Sequence, residues 1–110
     1  MVTTYSPEGR LLEALRKLGM KASQFIRVAR AFDLPVNQAT LSEAFAGKRP
    51  LNQWHAQRLL DLAKELLIVK AFYQAQDVNL SWGVNQTEAE SVATLVVKHR
   101  AACADEEVTA

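Results

Sequence analysis

NQATLSEAFAGKRPLNQW, residues 37–54, is the stretch that decides how the rest of the chain is interpreted. Asn37 is a residue type that caps helix N-termini, and Gly47 is typical of a helix end. Between them, apolar residues recur at helical spacing, namely Leu41, Ala44 and Phe45. The pattern predicts a short helix with one buried face, followed closely by a second helix that Asn52 caps.

The other side of this short helix carries side chains that suit a DNA major groove. The candidate base-reading residues are Gln38, Ala39, Thr40, Ser42 and Glu43. Ala39 would touch a thymine methyl group, and Glu43 would either accept a hydrogen bond from cytosine or repel phosphate in a wrong register. Lys48 and Arg49 follow at once and, with Asn52, are candidate phosphate contacts. The alternative is an ordinary solvated helix face.

The same stretch carries a family resemblance. Five of its residues form the pattern F-x-G-x-x-x-L-N-x-aromatic: Phe45, Gly47, Leu51, Asn52 and Trp54. This pattern resembles the end of the recognition helix, the next loop and the start of the fourth helix in Cro/C1-type, lambda repressor-like helix-turn-helix proteins. The resemblance covers roughly residues 21–60. The chain departs from the family where Asp33 replaces the usual turn glycine and where the turn from Asp33 to Leu41 is longer.

The resemblance implies an all-α fold with a lambda repressor-like helix-turn-helix core. It also implies a DNA-binding transcriptional regulator, a phage or bacterial repressor that acts as a homodimer on a palindromic operator. Family members place a phosphate-contacting glutamine near the start of their second helix, and Gln24 is the nearest match. Arg27 lies on the same predicted helix and would bind phosphate by charge alone.

Two alternative functions stay open. A helix-turn-helix fold can serve as a protein-binding module, such as a phage inhibitor or an antitoxin, and near-neutral total charge leaves room for this. A DNA-associated assembly factor would form higher oligomers with little sequence preference. Loss of affinity with salt separates a DNA reader from an apolar protein interface.

The composition of the chain limits the classes of protein to which it can belong. The chain has 110 residues, of which 49% are hydrophobic, so a single domain with a real core is expected. No apolar run is long enough for a signal peptide or a membrane helix. The one cysteine fits a reducing compartment, so we expect a cytoplasmic protein with no membrane partner.

Charge is distributed unevenly along the chain. Residues 1–60 hold nine lysine and arginine residues against four acidic ones, a net +5, whereas residues 61–110 are at −4. The half with the candidate DNA-reading helix is thus the basic half, as expected for a protein that presents one face to phosphate. The alternative is that this difference in charge between the two halves is ordinary variation in surface charge and has no functional meaning.

Helix signals divide the chain into about five helices. The predicted ranges are 7–18, 22–32, 38–46, 53–74 and 87–104, the last opened by a capping box from Thr87 to Glu90. Residues 76–85 are predicted to form a loop that Leu80 and Trp82 anchor to the core. We expect a helix-turn-helix core over 1–75, a loop and added C-terminal helix over 76–104, and a flexible acidic tail over 105–110.

The last helix is the candidate for dimerisation. One stripe of this helix carries Val92, Leu95, Val96 and His99, and the wide apolar surface of residues 66–72 would contribute to the same interface. Cys103 continues the stripe four residues after His99, a spacing that suits metal ligands. Two ligands do not make a site, so an apolar interface is the preferred interpretation.

Catalysis is not expected. Two histidines, one cysteine and scattered carboxylates match no pattern of nucleophile, base and orienting acid. No phosphate-binding glycine loop or cofactor motif is present. We therefore expect no enzyme activity, no cofactor, no metal and no small-molecule ligand, with double-stranded DNA as the partner.

Overall fold

The computed structural model describes residues 6–109, with side chains as far as Cys103. Over that range the chain forms helices and contains no strand, so the predicted all-α fold with five helices is confirmed. The helices are α1 (Pro7–Leu18), α2 (Ala22–Ala31), α3 (Gln38–Phe45), α4 (Gln53–Gln74) and α5 (Gln86–Thr109). None of them combines the length and the apolar character needed to cross a membrane.

Side-chain caps explain where most of the helices begin. The Ser6 hydroxyl accepts a hydrogen bond from the Gly9 N–H at 3.1 Å, and Asn37 Oδ1 accepts one from the Thr40 N–H at 2.7 Å. Asn52 caps α4 in the same way. These bonds satisfy N–H groups that have no partner inside the helix, so the cap residues fix the helix starts.

The start of α5 differs from the prediction. Asn85 Oδ1, and not Thr87, accepts the capping bond, from the Glu88 N–H at 2.9 Å. Glu88 turns back toward the preceding loop, where its carboxylate accepts from the Val84 N–H. The predicted capping box from Thr87 to Glu90 is therefore wrong, because Asn85 provides an acceptor two residues earlier and Thr87 already lies inside the helix.

Four helices end in the same way, at a residue with left-handed backbone conformation. These residues are Gly19, Asp33, Gly47 and Asp77, with φ angles of 68°, 59°, 76° and 59°. After α2, the Asp33 N–H donates to the Arg30 carbonyl at 3.1 Å and the Leu34 N–H donates to the Ala29 carbonyl at 2.9 Å. This pair of bonds is the Schellman motif.

The core forms around α4, which is buried along most of its length. α1 packs along α4, α2 packs against α5, and α3 contacts α1 and α2. The largest side chains with almost no exposure come from every helix and are Phe25, Leu11, Leu18, Leu41, Leu59, Leu60, Leu66, Val28, Val69 and Val96.

Helix α5 belongs to this core and is not a separate unit. Its buried residues Ala89, Val92 and Val96 face α2 and α4. The backbone of α5 continues to Thr109, beyond the predicted end near Ala104, so residues 105–109 of the predicted tail are helical. The side chains of that tail lie outside the described residues.

The loop before α5 joins it to the first two helices through hydrogen bonds that are distant in sequence. Trp82 Nε1 donates to the Leu18 carbonyl at 2.9 Å, and Gln86 Nε2 donates to the Arg27 carbonyl at 3.0 Å. Trp82 is buried and Leu80 packs against the core, so the predicted anchoring of this loop is confirmed. We call residues 82–86 the latch.

Candidate nucleic-acid interface

Helix α3 is held by a narrow buried stripe and exposes the rest of its surface. Leu41 and Ala44 are almost completely buried. Four of the five predicted base-reading residues are exposed, namely Gln38, Ala39, Thr40 and Ser42. Because anchoring uses only one side of the helix, its polar side is available to a partner, as the sequence pattern predicts.

Glu43 differs from the other four candidates because it has a partner inside the chain. Its carboxylate lies 4.0 Å from Arg49 Nε, and its backbone carbonyl accepts from the Lys48 N–H at 2.9 Å. Both side chains of the ion pair are substantially exposed, so the pair contributes little to stability. The backbone carbonyl of Glu43 therefore holds the start of the cationic loop, and direct base reading by the Glu43 side chain stays a prediction.

The loop after α3 presents two cations on a fixed backbone. Lys48 and Arg49 are exposed, whereas Leu51 is buried. Glu8, from the first turn of α1, is also buried, and its Oε1 accepts a hydrogen bond from the Leu51 N–H at 3.1 Å. Sequence analysis missed Glu8, because a carboxylate in the first turn of a helix ordinarily indicates favourable placement near the helix dipole.

The side-chain oxygen of Asn52 serves as the N-cap of α4. Oδ1 accepts hydrogen bonds from the Trp54 and His55 N–H groups at 3.0 and 3.3 Å. The residue is exposed, and Nδ2 remains as a donor. If Asn52 makes the predicted phosphate contact, the donor must therefore be Nδ2, because Oδ1 is used for the helix cap.

The phosphate-binding assignment of Gln24 needs correction. Gln24 Oε1 accepts from the Lys21 N–H at 2.9 Å, and Gln24 Nε2 donates to the Gly83 carbonyl at 3.1 Å. Both ends of the amide are thus used to cap α2 and to hold the latch. Arg27, the other candidate on α2, is half-buried, and its Nε is buried without a partner beside the latch.

The predicted dimerisation residues also need correction. Val92 and Val96 are buried in the chain's own core, so they cannot form an interface with a second copy without unfolding α5. Leu95 and His99 are half-buried. The ring of His99 packs edge-on against Phe72 with 4.9 Å between centroids, which accounts for its place in the apolar stripe.

Two patches of exposed apolar surface remain on α4. Ile68 and Phe72 are 59% and 40% exposed, and Phe72 packs against His99 of α5. Trp54, 64% exposed, lies in the first turn, where the Arg58 guanidinium stacks 4.6 Å from its ring. Contiguous exposed apolar patches mark surfaces that bind a partner, whereas a single exposed apolar side chain is common on protein surfaces.

Helix α5 contributes one ion pair near the end of α2. The Arg100 guanidinium bonds both carboxylate oxygens of Glu65 and stacks 5.0 Å from the Phe32 ring. The hydrogen bond that Arg100 donates to Glu65 raises the pKa of Arg100. This cation is therefore already paired and is not a free phosphate contact.

Comparison of the chain with family models, curated proteins and solved structures gives no match. Across the residues that the structure describes, no group of three or more histidine, cysteine or acidic residues is arranged to hold a metal ion. Cys103 Sγ lies 3.7 Å from His99 Nε2, and the described side chains add no third ligand to this pair. The candidate surfaces are α3 with its following loop and the exposed apolar side chains of α4.

Proposed function

We propose that this protein is a sequence-specific DNA-binding transcriptional regulator of the helix-turn-helix type. The observation that carries the proposal is the placement of α3: Leu41 and Ala44 fix the helix, its polar side is exposed, and Lys48 and Arg49 follow directly. In this proposal α3 enters the major groove, where Gln38 and Thr40 contact base edges. The two cations contact phosphate and set the register.

Two further observations support this proposal. The basic half of the chain, at +5, contains α3 and its cationic loop. Asp33 ends α2 with φ at 59°, a left-handed conformation that favours glycine. Glycine is the residue that the helix-turn-helix resemblance expects there, so the left-handed backbone at Asp33 supports the proposal although the residue differs.

We further propose a cytoplasmic homodimer from a phage or a bacterium, acting as a repressor on a palindromic operator. One eight-residue helix contacts too few base pairs for useful specificity, and two-fold symmetry doubles the site that is read. Because Val92 and Val96 are buried, the interface would instead use Ile68 and Phe72, with His99 at its edge. Steric exclusion of other proteins from the operator would lower transcription.

Fluorescence anisotropy tests the proposal. The protein is titrated against duplexes from the region upstream of its own gene and against a scrambled duplex, over a salt series. The variants are Lys48→Ala/Arg49→Ala for phosphate contacts and Gln38→Ala/Thr40→Ala for base contacts. Lys64→Ala/Lys98→Ala removes two exposed cations elsewhere and serves as the matched control.

The two variants should change DNA binding in different ways. Loss of Lys48 and Arg49 should weaken binding to both duplexes and reduce the salt slope by about 2, since each phosphate contact contributes about 0.9. Loss of Gln38 and Thr40 should remove the preference and leave the slope unchanged. If the wild-type protein binds no duplex at low salt, or if the control variant flattens the slope equally, the assignment is rejected.

One observation favours a second candidate, a protein-binding module. Trp54 and Arg58 form an exposed stacked pair, and tryptophan and arginine are the residue types that dominate binding energy at protein interfaces. The hydrogen bonds of the Gln24 side chain also favour this candidate. They engage the glutamine that would otherwise make a phosphate contact used by the DNA-binding family. A salt-insensitive partner whose binding depends on Trp54, together with no duplex binding, would support this candidate.

A further inference from the structure

A groove of about 240 Å³ lies between α1 and α4. Its floor is apolar and is formed by Ala14, Leu60 and Leu67, of which the first two are buried. The two walls are joined by a hydrogen bond, because Lys70 Nζ of α4 donates to the Lys17 carbonyl of α1 at 3.2 Å. The shape of the groove thus follows from the packing of α1 on α4.

Three cations, Arg10, Lys17 and Lys64, line the rim of this groove together with one carboxylate, Glu13. All three cations are exposed, and none makes an ion pair with any residue in the described range. Glu13 is engaged by a residue outside the groove, since its carboxylate lies 3.9 Å from Arg16 Nη1. An apolar floor bordered by unpaired cations favours a polypeptide segment that carries small apolar side chains together with carboxylates.

The end of α5 is a segment of this kind. Residues 101–103, Ala-Ala-Cys, are exposed, so α5 extends beyond the core after the ion pair between Arg100 and Glu65. The sequence of residues 101–110 contains three acidic residues and no lysine or arginine, a net −3. Because its backbone stays helical to Thr109, α5 extends about 13 Å past Arg100 and cannot turn back onto α1 of its own chain.

Lys64, Ile68 and Phe72 form a row on the exposed side of α4, because they are spaced four residues apart. Lys64 lines the groove at one end of the row, and Phe72 packs against His99 of α5 at the other end. The groove and the end of α5 thus lie on opposite sides of Ile68. A two-fold axis near Ile68 would bring the α5 end of each copy to the groove of the other, since every contact in such an interface occurs twice.

We infer that the end of α5, residues 101–109, binds in the groove between α1 and α4 of a second copy of this chain. The inference rests on the homodimer of the proposed function and specifies how the two copies hold each other. The negatively charged segment faces the three unpaired cations, and the helix packs on the apolar floor, as in other helix-in-groove interfaces. Ile68 and Phe72 then form the apolar centre between two ionic contacts.

Charge reversal followed by mixing of the variants tests this inference. One variant, Arg10→Glu/Lys17→Glu, gives the groove an excess of carboxylates. Two cations are reversed together because the rim keeps two of its three cations when any one is lost. The other variant, Glu106→Lys/Glu107→Lys, changes the net charge of residues 101–110 from −3 to +1. Sedimentation velocity over a range of protein concentrations gives the dissociation constant of the dimer.

Each reversed variant alone should form a dimer about tenfold more weakly than the wild type, or more weakly still, because like charges face each other at both contacts. An equimolar mixture of the two should recover the dimer, since both contacts are then complementary, and recovery shows that both variants are folded. The matched control Lys48→Glu/Arg49→Glu reverses the same charge in the loop after α3 and should keep the wild-type dissociation constant. Added salt should weaken the wild-type dimer.

The outcomes separate this inference from the proposed function, because duplex binding is followed by anisotropy on the same samples. If the dimer persists in either reversed variant, another segment or surface joins the copies, and the inference is overturned while the homodimer stands. A mixture that stays monomeric would likewise reject the pairing of the groove with the end of α5. A monomeric wild type would reject the inference and the homodimer together, whereas duplex binding that the control loses would still support DNA reading by α3.

Discussion

Glu8 and Leu51 are 43 residues apart in sequence and are joined by a buried hydrogen bond, in which the Leu51 N–H donates to Glu8 Oε1 at 3.1 Å. The bond ties the first turn of α1 to the loop that presents Lys48 and Arg49. Stability and the position of the two cations therefore depend on the same contact.

Replacing Glu8 should show this dependence. Glu8→Ala leaves the buried Leu51 N–H without an acceptor, so we expect a loss of about 1–3 kcal/mol in the free energy of unfolding. Glu8→Gln keeps an acceptor oxygen and should lose less. Urea unfolding followed by circular dichroism gives the values. Glu13→Ala, at an exposed position of the same helix, is the control and should change stability by less than about 0.5 kcal/mol.

Gly83 allows the latch to pass close to α5. A Cβ atom at this position would lie 2.5 Å from Glu88 Cβ, and φ is +82°. Gly83→Ala should therefore destabilise the protein by more than the roughly 1–2 kcal/mol expected from the backbone conformation alone. Gly19→Ala is a matched control, because φ is +68° and no atom lies within 4 Å of the added Cβ.

Urea unfolding of the two glycine variants gives the comparison. The difference between them reports the steric contact at Glu88, since both carry the left-handed backbone cost. Hydrogen exchange should also rise in α5 for Gly83→Ala and not for Gly19→Ala. Equal losses of stability would mean that α5 moves aside without cost.

Asp33 offers a test of the turn after α2. Because its φ is 59°, Asp33→Gly should leave stability unchanged or raise it by up to about 1 kcal/mol, the balance between relieved strain and greater freedom of the unfolded chain. Asp33→Val should lower stability by about 1–2 kcal/mol, because β-branched residues rarely adopt this conformation. Thermal unfolding of both variants measures the difference, and a less stable Asp33→Gly would contradict the assigned backbone conformation.

Replacing an apolar residue by a charged one should affect folding differently at buried and at exposed positions. Val96→Asp places a carboxylate in the core, so we expect the variant to lose its cooperative unfolding transition. Ile68→Glu changes a side chain that is 59% exposed and should keep the helix content of the wild type. If the proposed dimer exists, Ile68→Glu should convert it to monomers in light scattering; an unchanged mass would exclude this surface.

Local signals in the sequence were sufficient to predict most of the helices. Cap residues such as Asn37 and Asn52 act within three residues, and the left-handed ends at Gly19 and Gly47 are equally local. The exposure of the polar side of α3 could be predicted for the same reason, because helical periodicity alone separates it from Leu41.

Long-range contacts explain what the sequence did not reveal. The role of Gln24 depends on Gly83, which lies 59 residues later, and the burial of Val96 depends on how α5 packs on α2. An apolar stripe has the same pattern whether its own chain or a second copy covers it.

The way α3 is anchored has a consequence for how such a protein can diverge. Leu41 and Ala44 carry the packing of this helix, whereas the side chains of its exposed residues make no hydrogen bond with any other described residue; these are Gln38, Ala39, Thr40 and Ser42. Substitutions there leave the core intact, so new recognition properties can evolve through single mutations without a compensating change elsewhere.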